Sequence, residues 1–235
     1  MKRVLGVFLA LVFIGTTEVV ASPVGNPTEM RSGDEAGFAA GAEGSLVFDR
    51  DLESRDAEID HLNDLYGKVS YTLEEFPLEF YGLLGTMQFE VDERNDSSYE
   101  TDYGFAYGIG AKMKIWEGDE GTAVGIDAKY RRSEPDIDEA VRNGVPVNMD
   151  DVTYEDWQTA LGVSHKLNEK LTPYGGIKLS DVDISSVGAF SEQESDDIFG
   201  IFAGLVYAVK EDLDVNVETQ LVNETAISGS VSWWF

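Results

Sequence analysis

Tyr103-Gly104-Phe105-Ala106-Tyr107-Gly108-Ile109-Gly110-Ala111-Lys112-Met113-Lys114-Ile115 is the stretch that decides the fold. Its odd positions are apolar throughout, and its even positions are glycine, alanine and lysine. A helix turning every 3.6 residues would scatter those odd positions around its circumference, whereas a strand sets them all on one side. The stretch is a strand with one wholly apolar face, and both lysines stand on the other.

The same period of two runs outward in both directions. It covers Phe38–Phe48, Leu65–Leu73, Tyr81–Val91, Thr122–Tyr130, Trp157–Val163, Gly175–Leu179, Phe199–Val209, Leu213–Leu221 and Ile227–Phe235. In the third of the ten runs the apolar face is read as Tyr81, Leu83, Gly85, Met87, Phe89 and Val91. Ten candidate strands result. Counts of eight or twelve stay open, because the seventh strand and the last hairpin carry the weakest pattern. Strands of about ten to fourteen residues have the length that a tilted strand needs to cross a bilayer. The apolar faces hold no charge at their centres, and the opposite faces mix small residues with single charges of both signs. A soluble ten-strand sandwich, the structural alternative, would spend charge more freely on its wet side.

The links between strands are residues 49–64, 74–78, 92–102, 116–120, 132–153, 168–170, 181–197, 210–212 and 222–225. Long and short alternate until the last, so every long link falls on one side of a barrel. Aromatics gather at both strand ends: Phe48, Phe89, Tyr103, Tyr130, Trp157 and Phe199 at one, Phe38, Tyr71, Tyr81, Tyr207, Trp233 and Phe235 at the other. Two such bands are expected where rings meet the headgroup layers. The expected fold is an all-β, transmembrane, antiparallel up-and-down barrel.

Met1-Lys2-Arg3 is a basic start, Val4–Gly15 is an apolar run, and Val19-Val20-Ala21 ends in small residues. That is the three-part form of a secretory signal peptide, residues 1–21, cut after Ala21. The apolar run is too short to anchor the chain in a bilayer core. Residues 22–35 follow as a Pro/Gly/polar linker, and residues 36–235 form the barrel.

The 235 residues include no cysteine, which excludes disulfides, thiolate metal sites and thiol catalysis. Acids outnumber bases 45 to 17, for a net charge of −28, and nucleic-acid binding is excluded because phosphate contacts need Lys and Arg. Aromatics at 11% exclude an acidic disordered chain. Residues 49–64, 90–102, 131–156 and 181–197 hold 27 of the acids, set against Arg50, Arg55, Arg94, Arg131, Arg132 and Arg142.

Ile227, Gly229, Val231, Trp233 and the terminal Phe235, spaced by two, resemble the C-terminal signal of bacterial outer-membrane β-barrel proteins. The resemblance covers the export signal and all ten strands and identifies no subfamily. It implies that Phe235 is read by the barrel-assembly machinery and that the protein sits in the outer membrane of a diderm bacterium. It further implies contact with outer-membrane lipid and lipopolysaccharide, a linker that is periplasmic and long links that are external.

Candidate chemistry is sparse. His61 beside Asp60 is the one pairing that resembles a rim-active hydrolase site, and His165 falls on the lipid-facing parity near the inner end of strand six. By parity Asp127, Lys129 and Arg131 face inward toward Asp156 and Gln158, with Glu90, Lys112, Lys114, Lys178 and Glu218 also pointing in. Opposite charges in a narrow lumen pair more readily than they conduct. Asp49-Arg50-Asp51-Leu52-Glu53 and Asp181-Val182-Asp183 could offer oxygen ligands to Ca²⁺, without EF-hand spacing. No catalytic, cofactor-binding or metal residue is assigned and no cofactor is implied; divalent cations at the acidic loops are a candidate partner. The reading that results is a small non-enzymatic barrel with a structural or surface-interaction role. Its alternatives are a narrow channel for small cationic solutes and a hydrolase centred on His61.

Overall fold

A computed structural model of the chain describes residues 23–31, 36–52, 57–93, 97–148, 152–186, 193–195, 198–222 and 224–235; the expected signal peptide lies outside them. Ten long strands carry the fold: β1 (Phe38–Leu52), β2 (Ala57–Thr72), β3 (Leu78–Glu93), β4 (Gly104–Glu117), β5 (Thr122–Ser133), β6 (Val152–His165), β7 (Leu171–Ser186), β8 (Phe199–Lys210), β9 (Leu213–Leu221) and β10 (Thr225–Trp234). Each pairs antiparallel with its neighbours in the chain, and β10 returns to β1, with Gly229 opposite Gly44. The ring closes at ten strands, the expected count. Closure leaves no edge, so the backbone polar groups of the wall are satisfied within it, the condition for a sheet in lipid.

The outside of the ring is apolar where a bilayer would meet it. Phe105, Ile109 and Leu84 are each about two-thirds exposed, at 65%, 66% and 65%. Water would penalise such a surface and hydrocarbon would not. Phe48, Tyr103, Trp157 and Phe199 stand exposed toward one end, with Phe38, Tyr71, Tyr207, Trp233 and Phe235 toward the other.

One strand is turned the opposite way from the sequence expectation. On β3 the side chains of Tyr81, Leu83, Met87, Phe89 and Val91 are buried in the barrel, while Phe80 and Leu84 face out. Tyr81 and Phe89 therefore leave the aromatic bands, and Glu90 is outside, not inside. The physical reason is Glu79, which shares a parity with Tyr81 and is 1% exposed, 3.9 Å from Lys112. A carboxylate cannot face hydrocarbon, so it fixes the strand's face, and the apolar residues on its parity become core.

Two kinds of segment read as loops or linker are ordered parts of the fold. The long links contain strand: β1, β2, β3 and β7 run on into them, and short strands Ser97–Thr101, Ile137–Arg142, Val145–Pro146 and Gln193–Glu194 join them. Asn143 and Gly144, with φ of 51° and 75°, make the two-residue turn of the hairpin that pairs Arg142 with Val145. Residues 23–31 of the expected linker lie inside the barrel, described below.

Candidate functional site

From the outer end inward, the lumen is filled in three layers. The first is apolar: Ile59, Leu62, Phe89, Val91, Tyr99, Val152, Tyr154, Val182 and Ile184 form one buried cluster, with the Phe89 and Tyr154 rings 5.5 Å apart. These residues come from the ends of β2, β3, β6 and β7 and from the short strand Ser97–Thr101, whose inward faces meet as a small soluble protein's core would.

The second layer is ionic. Arg131, 1% exposed, pairs with both Asp64 and Asp156, and Ser45 donates to Asp64 at 3.0 Å. Lys178 pairs with Glu224, which also takes Arg50 at 3.0 Å; Arg50 donates in turn to the Ser195 hydroxyl at 2.8 Å. Lys129 and Lys68 flank Glu43 at 3.6 and 3.5 Å, and the Tyr81 hydroxyl donates to Asp127 at 2.9 Å. Arg131 opposite Asp156 and Lys129 opposite Gln158 are the cross-strand pairs that parity predicts. Arg50 and Asp64 fall within a link read as external, and Glu224 within the last short link, yet all three are buried here. Their strand alternation continues past the aromatic band, which is the signal that would have placed them.

The third layer is the chain's own amino-terminal segment. Arg31 enters at the inner rim, its guanidinium 5.2 Å from the Trp234 ring centroid and bonded to the Glu211 carbonyl. Going deeper, Thr28 bonds Ser164 at 2.6 Å, and Asn26 holds the turn by accepting from the Thr28 N–H and hydroxyl. Val24 donates its N–H to Glu218 at 2.8 Å and packs among Ala160, Tyr174, Phe202 and Val206. The carbonyl of Pro23, the first described residue, accepts from Lys129. Pro27 rests on a glycine row. Gly125, Gly162 and Gly176 stand directly opposite one another on β5, β6 and β7, followed by Phe202 on β8. A Cβ on Gly125 would meet the Pro27 carbonyl oxygen at 2.5 Å, and one on Gly162 would meet the Pro27 ring at 3.0 Å.

Outside the lumen, a β-bulge between Ile59 and His61 turns Asp60 and His61 to the same outer face while Ile59 and Leu62 stay in. The His61 Nδ1 lies 2.5 Å from an Asp60 oxygen and 3.7 Å from one of Glu90, the residue directly opposite. Their donor atoms fall within 4.8 Å of one another, close enough for one cation to bridge. Glu90 continues a row of acids through Glu100 to Glu139 on adjoining strands. Partial burial raises the Glu90 carboxyl above its usual range, and Asp92, Glu100 and Asp60 add to the rise; Asp92 is raised by burial and by Asp60. His165 is exposed at the end of β6, on the outward parity expected of it, and bonds Thr122 at 2.8 Å.

No family model matches the sequence, and no curated protein matches it. Solved structures do resemble the fold. The β domain of the Bordetella autotransporter BrkA is 12% identical, with 86% of this chain and 100% of that one aligned at a TM-score of 0.51. The translocator domain of the autotransporter NalP from Neisseria meningitidis gives 11% identity, 100% and 94% coverage and a TM-score of 0.45. The outer membrane protease OmpT from Escherichia coli gives 10%, 88% and 100%, and 0.43. The likeness to the BrkA domain is one of fold: this chain is a closed, ten-stranded, antiparallel β-barrel of the kind that crosses membranes.

Proposed function

We propose that the protein is a small outer-membrane barrel that does not conduct, and that it acts through the acidic surface its strands raise outside the cell. The observation that carries this reading is the filling of the lumen by an apolar cluster, buried ion pairs and residues 23–31. Two cavities among the described residues of the lumen hold about 10 Å³ each, room for one water molecule and no solute. A narrow cation channel would need a continuous wet path, and the buried cations here are already engaged by carboxylates.

The outer surface supplies the other half. Its acids include the row from Glu90 to Glu139 and the trio of Asp60, His61 and Glu90. Hard divalent cations favour such carboxylate oxygens, and cations shared with lipopolysaccharide phosphates would tie this surface to its own membrane. His61 is 35% exposed on an open strand face, a setting suited to ligand exchange more than to water-excluded acid–base chemistry. Assembly through Phe235, three-quarters exposed at the barrel's inner end, fits the same placement.

Planar-bilayer recording of the chain from Ser22 onward, refolded in detergent, tests the reading. A silent membrane at protein densities where an open porin gives steps is the expected result. Discrete single-channel steps would replace the reading with the channel.

A further inference from the structure

Among the described residues one trio of metal-ligand side chains comes together, Asp60, His61 and Glu90, and it lies outside the lumen. The bulge between Ile59 and His61 brings Asp60 onto the face of His61, and the register sets Glu90 directly opposite. The three side chains stand on two adjacent strands, so sheet and not loop fixes their spacing.

Two observations set the trio apart from a hydrated patch of acid. The first is the imidazole itself. Its Nδ1 is shut off from water and no hydrogen bond reaches it, although an Asp60 oxygen stands 2.5 Å away. A hydrogen-bond partner lies along the axis on which a ring nitrogen carries its proton or lone pair. The Asp60 oxygen, near enough to bond and not bonded, lies off that axis. Fellow ligands of a metal sit in that way, because the lone pair points at the ion and not at them. With bonds of about 2.0–2.2 Å in a tetrahedral site, neighbouring donor atoms stand about 3.4 Å apart. The separations from Nδ1, 2.5 Å to Asp60 and 3.7 Å to Glu90, bracket that value, and all three atoms lie within 4.8 Å. Turning the two carboxyls, 40% and 36% exposed, closes the difference. The second observation is charge. Glu90, Glu100 and Glu139 stand directly opposite one another on adjoining strands, and like charges so placed destabilise a sheet. Partial burial and the acids Asp92, Glu100 and Asp60 hold the Glu90 carboxyl up, and His61 is the neighbour that draws it down. A dication held by His61 would offset that repulsion more fully than one imidazole can.

We propose that Asp60, His61 and Glu90 bind one borderline transition-metal dication, with Zn²⁺ as the type, through the His61 Nδ1 and one oxygen of each carboxylate. The nitrogen decides the class of ion. Imidazole suits Zn²⁺, Cu²⁺ and Ni²⁺, whereas Ca²⁺ calls for about six to eight oxygens and Mg²⁺ keeps its waters. The two carboxylates balance the charge of the ion. Three protein ligands on a half-exposed face leave a fourth position open to water. The proposal rests on the reading of the outer face as a surface for cations and goes beyond it: that reading needs only shared negative charge, and this site needs a nitrogen.

For the test, the protein is folded in detergent, checked by heat-modifiable migration and stripped of metal with a chelator. Titration with Zn²⁺ against a chromophoric chelator is expected to show one saturable site per chain, which a large excess of Ca²⁺ does not empty. His61→Gln is expected to weaken it at least about 100-fold, since even an outer-shell partner is worth about 10–100-fold. Glu139→Gln, two strands from Glu90 on the same acidic row, is expected to leave it unchanged. A second measurement needs no variant to fold. Bound Zn²⁺ is expected to shield one of the chain's two histidines from acylation by diethyl pyrocarbonate, and peptide mapping is expected to place the shielded one at His61 and not at His165. Equal weakening by His61→Gln and Glu139→Gln would overturn the site and leave a diffuse acidic surface. Acylation of His61 at its metal-free rate in saturating Zn²⁺ would overturn it as well. Bilayer recording of the same samples separates this from the function proposed above: a conducting barrel with His61 shielded sinks only that function, and a silent barrel without a saturable Zn²⁺ site sinks only this inference.

Discussion

Arg131→Met is expected to destabilise the barrel by about 3–5 kcal/mol, read as a lower midpoint for urea unfolding in detergent micelles. Arg131 is 1% exposed and is the shared partner of Asp64, fully buried, and Asp156, 4% exposed. Its removal strands two carboxylates in a space with room for about one water. The cost comes from those orphaned charges, not from the attraction lost, so it can be reversed without restoring the arginine. Combining Arg131→Met with Asp64→Asn and Asp156→Asn is expected to recover most of the loss, because neutral amides carry no such desolvation penalty. A loss under about 1 kcal/mol in the single variant would mean that water reaches the cluster and that the lumen is not closed there.

Gly176→Val is expected to abolish folding, leaving no heat-modifiable species. A Cβ at this position would stand 2.8 Å from both the Gly162 Cα and the Phe202 ring, and closer still to the Leu161 carbonyl oxygen. A ring can swing away, but a backbone carbonyl in the middle of a closed sheet cannot. Overpacking against such a contact lies at or above the upper end of its usual range of about 1–3 kcal/mol. Ile177→Val, one residue along and facing lipid at 46% exposure, is the control and is expected to fold normally. If Gly176→Val folded and migrated like the parent, the register that brings Gly162, Gly176 and Phe202 into one row would be wrong.

The sequence carried the fold wherever one strand face was polar. On β4 the glycines and lysines between Tyr103 and Ile115 leave no choice of face, and the same holds for β5 with Asp127, Lys129 and Arg131. On β3, Leu83 and Leu84 are adjacent and both faces are apolar, so alternation alone could not decide. The deciding residue was Glu79, a charge at membrane depth, whereas Glu90 misled because it lies beyond the aromatic band where a charge can face outward freely. The outer strands were harder to see, although Asn143-Gly144 is a hairpin signal in its own right.

The contents of the lumen were legible only in part. Arg131 with Asp156 follows from two neighbouring strands in register, which parity supplies. Arg50 with Glu224 joins residues 174 apart in the chain, and no local pattern relates them. The amino-terminal segment has no periodicity at all, so nothing in it names the surface it meets. Its counterpart, the row of Gly125, Gly162 and Gly176, becomes visible only once three strands are aligned. The net charge of −28 likewise divides once the strands are placed. Asp64 and Asp156 belong to the ion pairs within, while Glu90, Glu100 and Glu139 line the outer surface.

The membrane-spanning orientation underlies every part of this account, and single-cysteine labelling on intact cells of a diderm bacterium tests it directly. Asp138→Cys lies exposed in the outer strand Ile137–Arg142, and Glu169→Cys lies exposed in the short turn between β6 and β7. With a maleimide too large to pass the outer membrane, the orientation predicts that Asp138→Cys is labelled at once. Glu169→Cys should be labelled only after that membrane is broken. Equal labelling of both on intact cells, or labelling of Glu169→Cys alone, would contradict it.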